Sequence, residues 1–296
     1  MNNAVVEQRP KFSVALQSDA YKKLINNTLG DPERAKRFVA SISSAVAQTP
    51  ALQECDAKTI LTGALVGEAL NLSPSPVLGQ YYLLPFKNSK TGIPEAQFVL
   101  GAKGYVQLAI RSGQYKDIDY IEVREGEYKG RNKTNGKQEF EFIEDEELRL
   151  SKPIIGYMAY FELLNGFYKQ IYWSKEKMEQ HADKYSKAFN LSDYKKLIAG
   201  QIPQKDLWKY SSYWYKDFDG MAFKTLLRQI ISKFGIMSID MQEAYAKDMA
   251  VMREDGHYEY VDNPEVGEAT IIDTEEIQEK AEKEVQNKRV GLADVE

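Results

Sequence analysis

The chain has 296 residues, 43% of them hydrophobic and 28% charged, which is typical of one large globular domain or two small ones. Its single cysteine, Cys55, excludes an internal disulfide, and the sequence has no run of about 18 apolar residues that could cross a membrane. The first residues also lack the apolar core of a signal peptide, so we expect a cytoplasmic protein.

The net charge of −5 is distributed unevenly along the chain. Residues 240–296 contain 17 acidic and 6 basic residues, a net charge of −11. Residues 184–233 contain 10 basic and 4 acidic residues, a net charge of +6. A basic segment followed by an acidic tail is typical of a protein that binds a polyanion and uses the tail for regulation or for a protein partner.

The first hundred residues predict a helical N-terminal part followed by a pair of strands. Asp31 suits the N-cap position of the second helix, and Pro32 suits its first turn. A loop through Asn88 and Gly92 joins the two strands. Helices are expected over residues 14–29, 32–49 and 57–70, and strands over residues 78–87 and 95–101.

The next part of the chain mixes strands and helices. The Asn165-Gly166 pair is the strongest hairpin signal in the sequence. Strands are expected over residues 115–128, 137–144, 154–164 and 167–173, and helices over 102–112, 174–188, about 205–217 and 218–233. These elements predict an α+β fold in which helices pack on a small, mostly antiparallel sheet.

Beyond about residue 253 the sequence becomes acidic and poor in large apolar side chains. Such a segment buries too little apolar surface to offset the conformational entropy lost on ordering. We therefore expect a core over residues 1–253 and a flexible, largely disordered acidic tail over residues 254–296 that binds a partner protein.

Sites of common enzymes are hard to assemble from this sequence. The two histidines, His181 and His257, and the lone Cys55 do not give the spacing of a zinc site. A nucleophile–histidine triad would need His181, for which a solvated helix surface is the simpler interpretation. The nearest approach to a phosphate loop, residues 130–138, ends in Gln138 where Ser or Thr is required, so no ATP site is predicted.

One carboxylate pattern suggests a nuclease as an alternative. Asp119, Glu127 and Lys129 follow the D…E-x-K order of metal-dependent nucleases. Two such carboxylates would bind Mg²⁺ and position a water for attack on a phosphodiester. The other interpretation is an exposed strand with ordinary surface charges.

The basic segment also contains many aromatic residues. If residues 205–217 form one helix, its cations and a tyrosine lie within roughly 80° around the axis, namely Lys205, Lys209, Tyr213 and Lys216. Cations neutralise phosphates, and aromatic rings stack on unpaired bases. The alternative for Trp208 and Trp214 is a place in the core or in a subunit interface.

The predicted helix 218–233, with the residue that follows it, has an apolar stripe through Phe223, Leu227, Ile230 and Phe234. Lys224 and Arg228 lie one turn apart beside that stripe. We expect the helix to bury the stripe and to present the two cations on its exposed edge to a phosphate backbone. The alternative is a structural ion pair of Arg228 with Asp217 or Asp219.

Three segments, "LGQYYLLPFK", "GAKGYVQLAIRSGQ" and "FDGMAFKTLLRQIISKFG", resemble in this order the RecT family of phage single-strand annealing recombinases, over roughly residues 35–240. The resemblance implies a protein that anneals complementary DNA strands without ATP. It implies an α+β core that forms rings or helical filaments and holds DNA in an outward basic groove. It also implies two partners in the bacterial host cytoplasm, a cognate phage exonuclease and the host single-strand-binding protein.

The resemblance and the basic segment together give the candidate DNA-binding residues. They are Lys103, Tyr105, Gln107, Arg111 and Ser112 in the second motif, Lys224, Thr225 and Arg228 in the third, and Lys205, Lys209, Tyr213 and Lys216 between them. Family members often carry paired arginines in both motifs, but here Ile110 precedes Arg111 and Gln229 follows Arg228.

Such contacts would be made to the backbone of single-stranded DNA and of the annealed duplex, so binding should be independent of sequence. We expect no catalytic residue and no cofactor, although Mg²⁺ could modulate DNA binding without a protein-ligated site. A passive single-strand-binding protein remains an alternative with the same kind of groove.

Overall fold

Short helices make up the N-terminal part of the chain, as the sequence predicts. The computed structural model describes residues 10–88, 91–252 and 258–260. Its first elements are helices α1 (Phe12–Ala15), α2 (Asp19–Leu29) and α3 (Pro32–Gln48), a 3₁₀ helix (Pro50–Glu54) and helix α4 (Ala57–Ala69).

Side-chain caps explain where these helices begin. The Asp31 side chain accepts a hydrogen bond from the amide of Glu33 at 2.9 Å, which confirms the predicted N-cap. The helix expected over residues 14–29 is instead divided, because Ser18 adopts an extended backbone and caps a new helix through the amide of Tyr21.

The strands form two antiparallel sheets and a separate hairpin rather than one sheet. The first sheet has the order β1 (Tyr81–Lys87), β2 (Pro94–Leu100), β8 (Ala250–Met252) and β9 (Tyr258–Tyr260). The second has the order β3 (Tyr115–Arg124), β6 (Ile154–Leu163) and β7 (Tyr168–Ser174). The hairpin consists of β4 (Tyr128–Arg131) and β5 (Gln138–Phe140).

The remaining helices include three that the sequence patterns did not predict, α6, α8 and α11. The helices are α5 (Ala102–Arg111), α6 (Glu146–Ser151), α7 (Lys175–Tyr185), α8 (Leu191–Ile198), α9 (Tyr213–Lys216), α10 (Phe218–Phe234) and α11 (Ile239–Lys247). The three unpredicted helices are short, and each begins at a capping side chain, Asp145, Asn190 or Ser238.

The helix predicted over residues 205–217 is wrong. A 3₁₀ helix (Gln204–Lys209) and the four-residue α9 replace it, with non-helical backbone between them. Ser212 is extended, at φ −67° and ψ 154°, so one helix cannot continue through this residue. The shared cationic face expected on one helix is therefore not formed.

Helix α10 lies at the centre of the core. It packs on strand β6 of the second sheet and beside α5. Leu227 and Ile230 of the predicted stripe are fully buried, as is Leu226, whereas Phe223 is only partly buried and Phe234 is 40% exposed. Trp214 is also buried, which confirms the core interpretation of this tryptophan, whereas Trp208 is 72% exposed.

The described residues belong to a unit that spans residues 1–262. Strand β9 therefore lies in the segment expected to be tail, and the other residues of 254–296 lie outside the described part of the chain. In the part that the structure describes, no helix is both long enough and apolar enough to span a bilayer.

Candidate nucleic-acid interface

A cleft of about 260 Å³ lies between the β1–β2 hairpin, strand β3 and the first two turns of α10. Four aromatic rings line it in two pairs. The ring centroids of Tyr82 and Tyr213 are 5.6 Å apart, and those of Tyr120 and Phe223 are 4.7 Å apart. We call this feature the aromatic cleft.

Strand alternation places the β1 side chains on this surface. Tyr81 and Leu83 point into the core, where Leu83 packs against Gly63 of α4. Tyr82 and Leu84 lie on the opposite face of the strand and line the aromatic cleft. The alternation was visible in the sequence, although sequence analysis did not single out Tyr82, Tyr120 or Phe223 as binding residues.

Two glycines bring the start of α5 against the start of β1. The Gly101 amide donates to the carbonyl of Gln80 at 2.9 Å. A Cβ atom at Gly101 would collide with the carbonyl of Gly79, and one at Gly104 would collide with that of Gln80. This close approach fixes the first turn of α5, so Lys103 lies at the mouth of the aromatic cleft.

The aromatic cleft brings together predicted residues from three separate segments. Lys103 from the second motif, Tyr213 from the basic segment and Lys224 from the third motif all line it. Lys103 is exposed and Tyr213 is half-buried. Burial raises the pKa of Tyr213, and the nearby Asp217 raises it further, so this phenol is neutral at physiological pH.

The expected exposure of Lys224 is wrong, since this side chain is only 4% exposed. Its ammonium lies 2.8 Å from a carboxylate oxygen of Asp248, and Arg228 Nη1 lies 2.7 Å from the other oxygen. The ion pair of Arg228 is therefore made with Asp248 and not with Asp217 or Asp219. The carboxylate of Asp248 is completely buried.

Asp248 also bonds to the end of strand β2 and to helix α5, which lies in the second motif. Its Oδ1 accepts from the amide of Leu100 at 2.8 Å, and its Oδ2 accepts from the hydroxyl of Tyr105 at 3.0 Å. Burial raises the pKa of Asp248, but Lys224 and Arg228 outweigh that effect and hold the pKa below its usual value. We call Lys224, Arg228, Tyr105 and Asp248 the buried ion network.

Known proteins resemble this chain over most of its length. A sequence model of the RecT family matches residues 36–261. The chain belongs to the RecT family. It is 36% identical over 275 residues to the protein YqaK of Bacillus subtilis (strain 168), an alignment that covers 93% of this chain and 83% of YqaK. It is 27% identical over 248 residues to the protein RecT of Escherichia coli (strain K12), which covers 78% and 81% of the two chains.

RecT-family membership places this protein among the DNA-binding proteins that anneal single strands in phage-type recombination. The buried ion network shows what the lysine and arginine of the third RecT motif do within this molecule. They bind helix α10 to the segment between α11 and β8, where Asp248 lies.

The other end of the second RecT motif lies away from the aromatic cleft. The Arg111 guanidinium donates to the backbone carbonyls of Leu70 at 2.9 Å and Asn71 at 3.3 Å, at the C-terminal end of α4. Such contacts satisfy carbonyl groups that the helix leaves unpaired. Ser112 donates to the carbonyl of Ala109 at 2.6 Å, and Gln107 is exposed on α5.

The remaining predicted residues lie outside the lining of the aromatic cleft. Lys205 and Lys216 are exposed. Lys209 pairs with Asp206 at 2.8 Å, and Thr225 donates to the carbonyl of Met221 at 2.8 Å. The structure therefore does not place the four residues of the basic segment on one face, and only Tyr213 reaches the cleft.

The nuclease alternative does not assemble in this RecT-family protein. Glu127 is completely buried and accepts from Arg149 at 2.6 Å and from the amide of Arg124 at 2.7 Å. Lys129 pairs instead with Glu141 at 2.9 Å. Among the described residues, no group of three or more His, Cys, Asp and Glu side chains is arranged to hold a metal ion.

His181 and Cys55 are packed rather than solvated. The imidazole of His181 lies against the rings of Trp173 and Tyr185, at centroid distances of 5.1 and 4.6 Å. Burial, together with nearby lysines, lowers the pKa of His181 to about 4. The thiol of Cys55 is buried, and burial raises its pKa to about 12, so it is not a reactive thiolate. The solvated surface expected for His181 is thus corrected.

Proposed function

We propose that this RecT-family protein anneals complementary single strands without ATP, and that it binds DNA at the aromatic cleft and its rim. The observation that carries the proposal is the meeting of Lys103, Tyr213 and Lys224 at one cleft. These residues come from the second motif, the basic segment and the third motif, which lie far apart in the sequence. Their convergence at a surface lined by aromatic rings supports a single binding site.

The charges at the rim determine what kind of binding is expected. Lys103 lies at the mouth of the cleft and is exposed, so it is available to phosphates. Contacts to phosphates carry no base information. The proposed site therefore binds single strands of any sequence, as annealing of arbitrary complementary strands requires.

Assembly and partners are part of the proposal. Homo-oligomers, as rings or filaments, would align many clefts along one strand. A cognate phage exonuclease would supply the single strand, and the host single-strand-binding protein would be displaced from it in the bacterial cytoplasm. No bound cofactor is proposed, and Mg²⁺ would act on the DNA rather than at a protein-ligated site.

An annealing assay tests the proposal directly. Two complementary oligonucleotides carrying a fluorescent donor and acceptor are mixed without ATP, with and without protein. We expect the protein to accelerate pairing, and we expect no effect with strands that are not complementary.

The other candidate functions give different results in the same assay. Slower pairing with intact strands would identify a passive single-strand-binding protein. Shortened strands on a denaturing gel, in the presence of Mg²⁺, would identify a nuclease. Either result would overturn the proposed function.

A further inference from the structure

We propose that the aromatic cleft holds one nucleobase that has left the base stack, while the phosphates of that strand stay at the rim. This inference rests on the proposed function, because it assumes that single-stranded DNA is the ligand. It goes beyond binding through the backbone, since it assigns the inside of the cleft to a base.

The walls of the cleft suit a flat apolar group. Tyr82 and Tyr213 form one aromatic pair, and Tyr120 and Phe223 form the other. Leu84 and Val99 complete the apolar surface behind them. An unpaired base that leaves water for such a surface gains stacking and burial, whatever its identity.

The charges inside the cleft argue against a phosphate there. The Lys224 ammonium is compensated by the completely buried carboxylate of Asp248. The carboxylate of Asp217 also lines the cleft, where it accepts from the amide of Gly220 at 3.0 Å. A phosphate next to Asp217 would be repelled, whereas the exocyclic amine of a base could donate to that carboxylate.

The tyrosines add no negative charge to this environment. Burial raises the pKa of Tyr82 and of Tyr120, and neighbouring acidic groups raise both values further. Both phenols are therefore neutral at physiological pH. The exposed cation at the mouth is Lys103, which is placed to meet a phosphate on the outside.

The volume of the cleft limits the ligand to something small. At about 260 Å³ it is smaller than the pockets of roughly 300–1,000 Å³ that enclose drug-sized ligands. It is also much larger than the roughly 30 Å³ that one water takes up in the liquid. A single heterocyclic base falls between these limits.

The test compares two strands that carry the same charge. The affinity of the wild-type protein is measured for an oligothymidylate and for an oligomer of equal length whose bases are all replaced by abasic tetrahydrofuran sites. We expect the abasic strand to bind about 5- to 150-fold more weakly for each base held by the protein. Equal affinities would overturn the inference while leaving annealing and the proposed function intact.

Variants then assign the base to this cleft. Tyr213→Leu and Tyr82→Leu should each reduce the ratio of the two affinities, mainly by weakening oligothymidylate binding. The control is Tyr185→Leu, because Tyr185 is an exposed tyrosine that does not line the cleft. If the cleft variants keep the wild-type ratio, the bases bind elsewhere and the inference fails.

The comparison also separates failure of the inference from failure of the proposed function. A wild-type protein that binds neither strand and does not anneal would overturn both. Lys103→Ala should lower the affinity for both strands by the same factor, because it removes a phosphate contact and no base contact. A larger effect on one strand would place Lys103 inside the base site and contradict the arrangement proposed.

Discussion

The Lys224 ammonium lies 2.8 Å from the carboxylate of Asp248, and neither side chain is more than 5% exposed. Removing the negative charge of a buried carboxylate that pairs with two cations is costly. The cations are then left unpaired in a low-dielectric interior. The lysine and arginine of the third motif therefore help to stabilise the folded core.

Asp248→Asn tests how much the buried ion network contributes to the free energy of unfolding. The substitution keeps the shape but removes the charge, and we expect the free energy of unfolding to fall by about 3 to 5 kcal/mol. Urea denaturation followed by circular dichroism measures the change. The matched control is Asp240→Asn, an exposed acid in the first turn of α11, which should cost less than about 1 kcal/mol. Equal effects of the two substitutions would contradict the assignment.

Lys103 and Lys224 should behave differently when each is replaced by alanine. Lys224→Ala should lower the free energy of unfolding, because Asp248 is then left without one of its buried cations. Lys103→Ala should leave stability unchanged and weaken binding of single-stranded DNA. Its slope of log affinity against log salt should become shallower by about 0.7, because the variant neutralises one phosphate fewer. If Lys224→Ala keeps its stability but binds DNA more weakly, Lys224 is a DNA-binding residue and this prediction is contradicted.

Acid should weaken the buried ion network. The folded-state pKa of Asp248 lies below its unfolded value of about 3.9, because Lys224 and Arg228 outweigh the effect of burial. A depressed carboxylate pKa contributes stability that is complete above the unfolded value and is lost as pH falls through the folded value. The difference in free energy of unfolding between wild type and Asp248→Asn should therefore shrink below about pH 4. A difference that stays constant or grows under acid would contradict this prediction.

Arg111 offers a test between a structural and a DNA-binding role. Its guanidinium reaches two carbonyls at the end of α4, and a lysine ammonium does not present that planar fork. We expect Arg111→Lys to lower the melting temperature while keeping the affinity for single-stranded DNA. Weaker affinity with an unchanged melting temperature would instead assign Arg111 to the DNA. Thermal denaturation and a fluorescence binding titration give the two measurements.

The boundary of the core can be tested by truncation. Strand β9 pairs with β8, so a chain that ends at Asp262 keeps the whole first sheet. The removed residues 263–296 contain 10 acidic and 4 basic residues, so their removal should preserve annealing and raise DNA affinity at low salt. A chain that ends at Arg253 also lacks β9 and should melt at a lower temperature. If the chain ending at Asp262 fails to anneal naked oligonucleotides, residues 263–296 belong to the working core.

Sequence patterns predicted the local features of this molecule well. Asp31 caps α3 as expected. The Asn165-Gly166 turn closes the β6–β7 hairpin, where Asn165 Oδ1 accepts from the amide of Phe167 at 3.0 Å. Both signals act within a few residues, so neighbouring side chains determine them.

The predictions that were wrong concern features that depend on residues far away in the sequence. Lys224 was expected at an exposed edge because nothing within its own helix indicates the carboxylate 24 residues later. The break at Ser212 was missed because Lys209 and Tyr213, which lie on either side of it, have acceptable helical spacing. Tyr82 could have been found, since it alternates with core residues in a strand, but its partner Tyr213 comes from another part of the chain.

The separation of Lys224 and Asp248 in the sequence also matters while the chain is being translated. At about 5 to 20 residues per second, the ribosome makes Lys224 roughly one to five seconds before its counter-ion. During that interval helix α10 has two cations beside an apolar stripe, and strand β8 has not yet been made to pair with β2. Translation of the residues between Lys224 and Asp248 therefore supplies the buried counter-ion, and β9 completes the first sheet a few residues later.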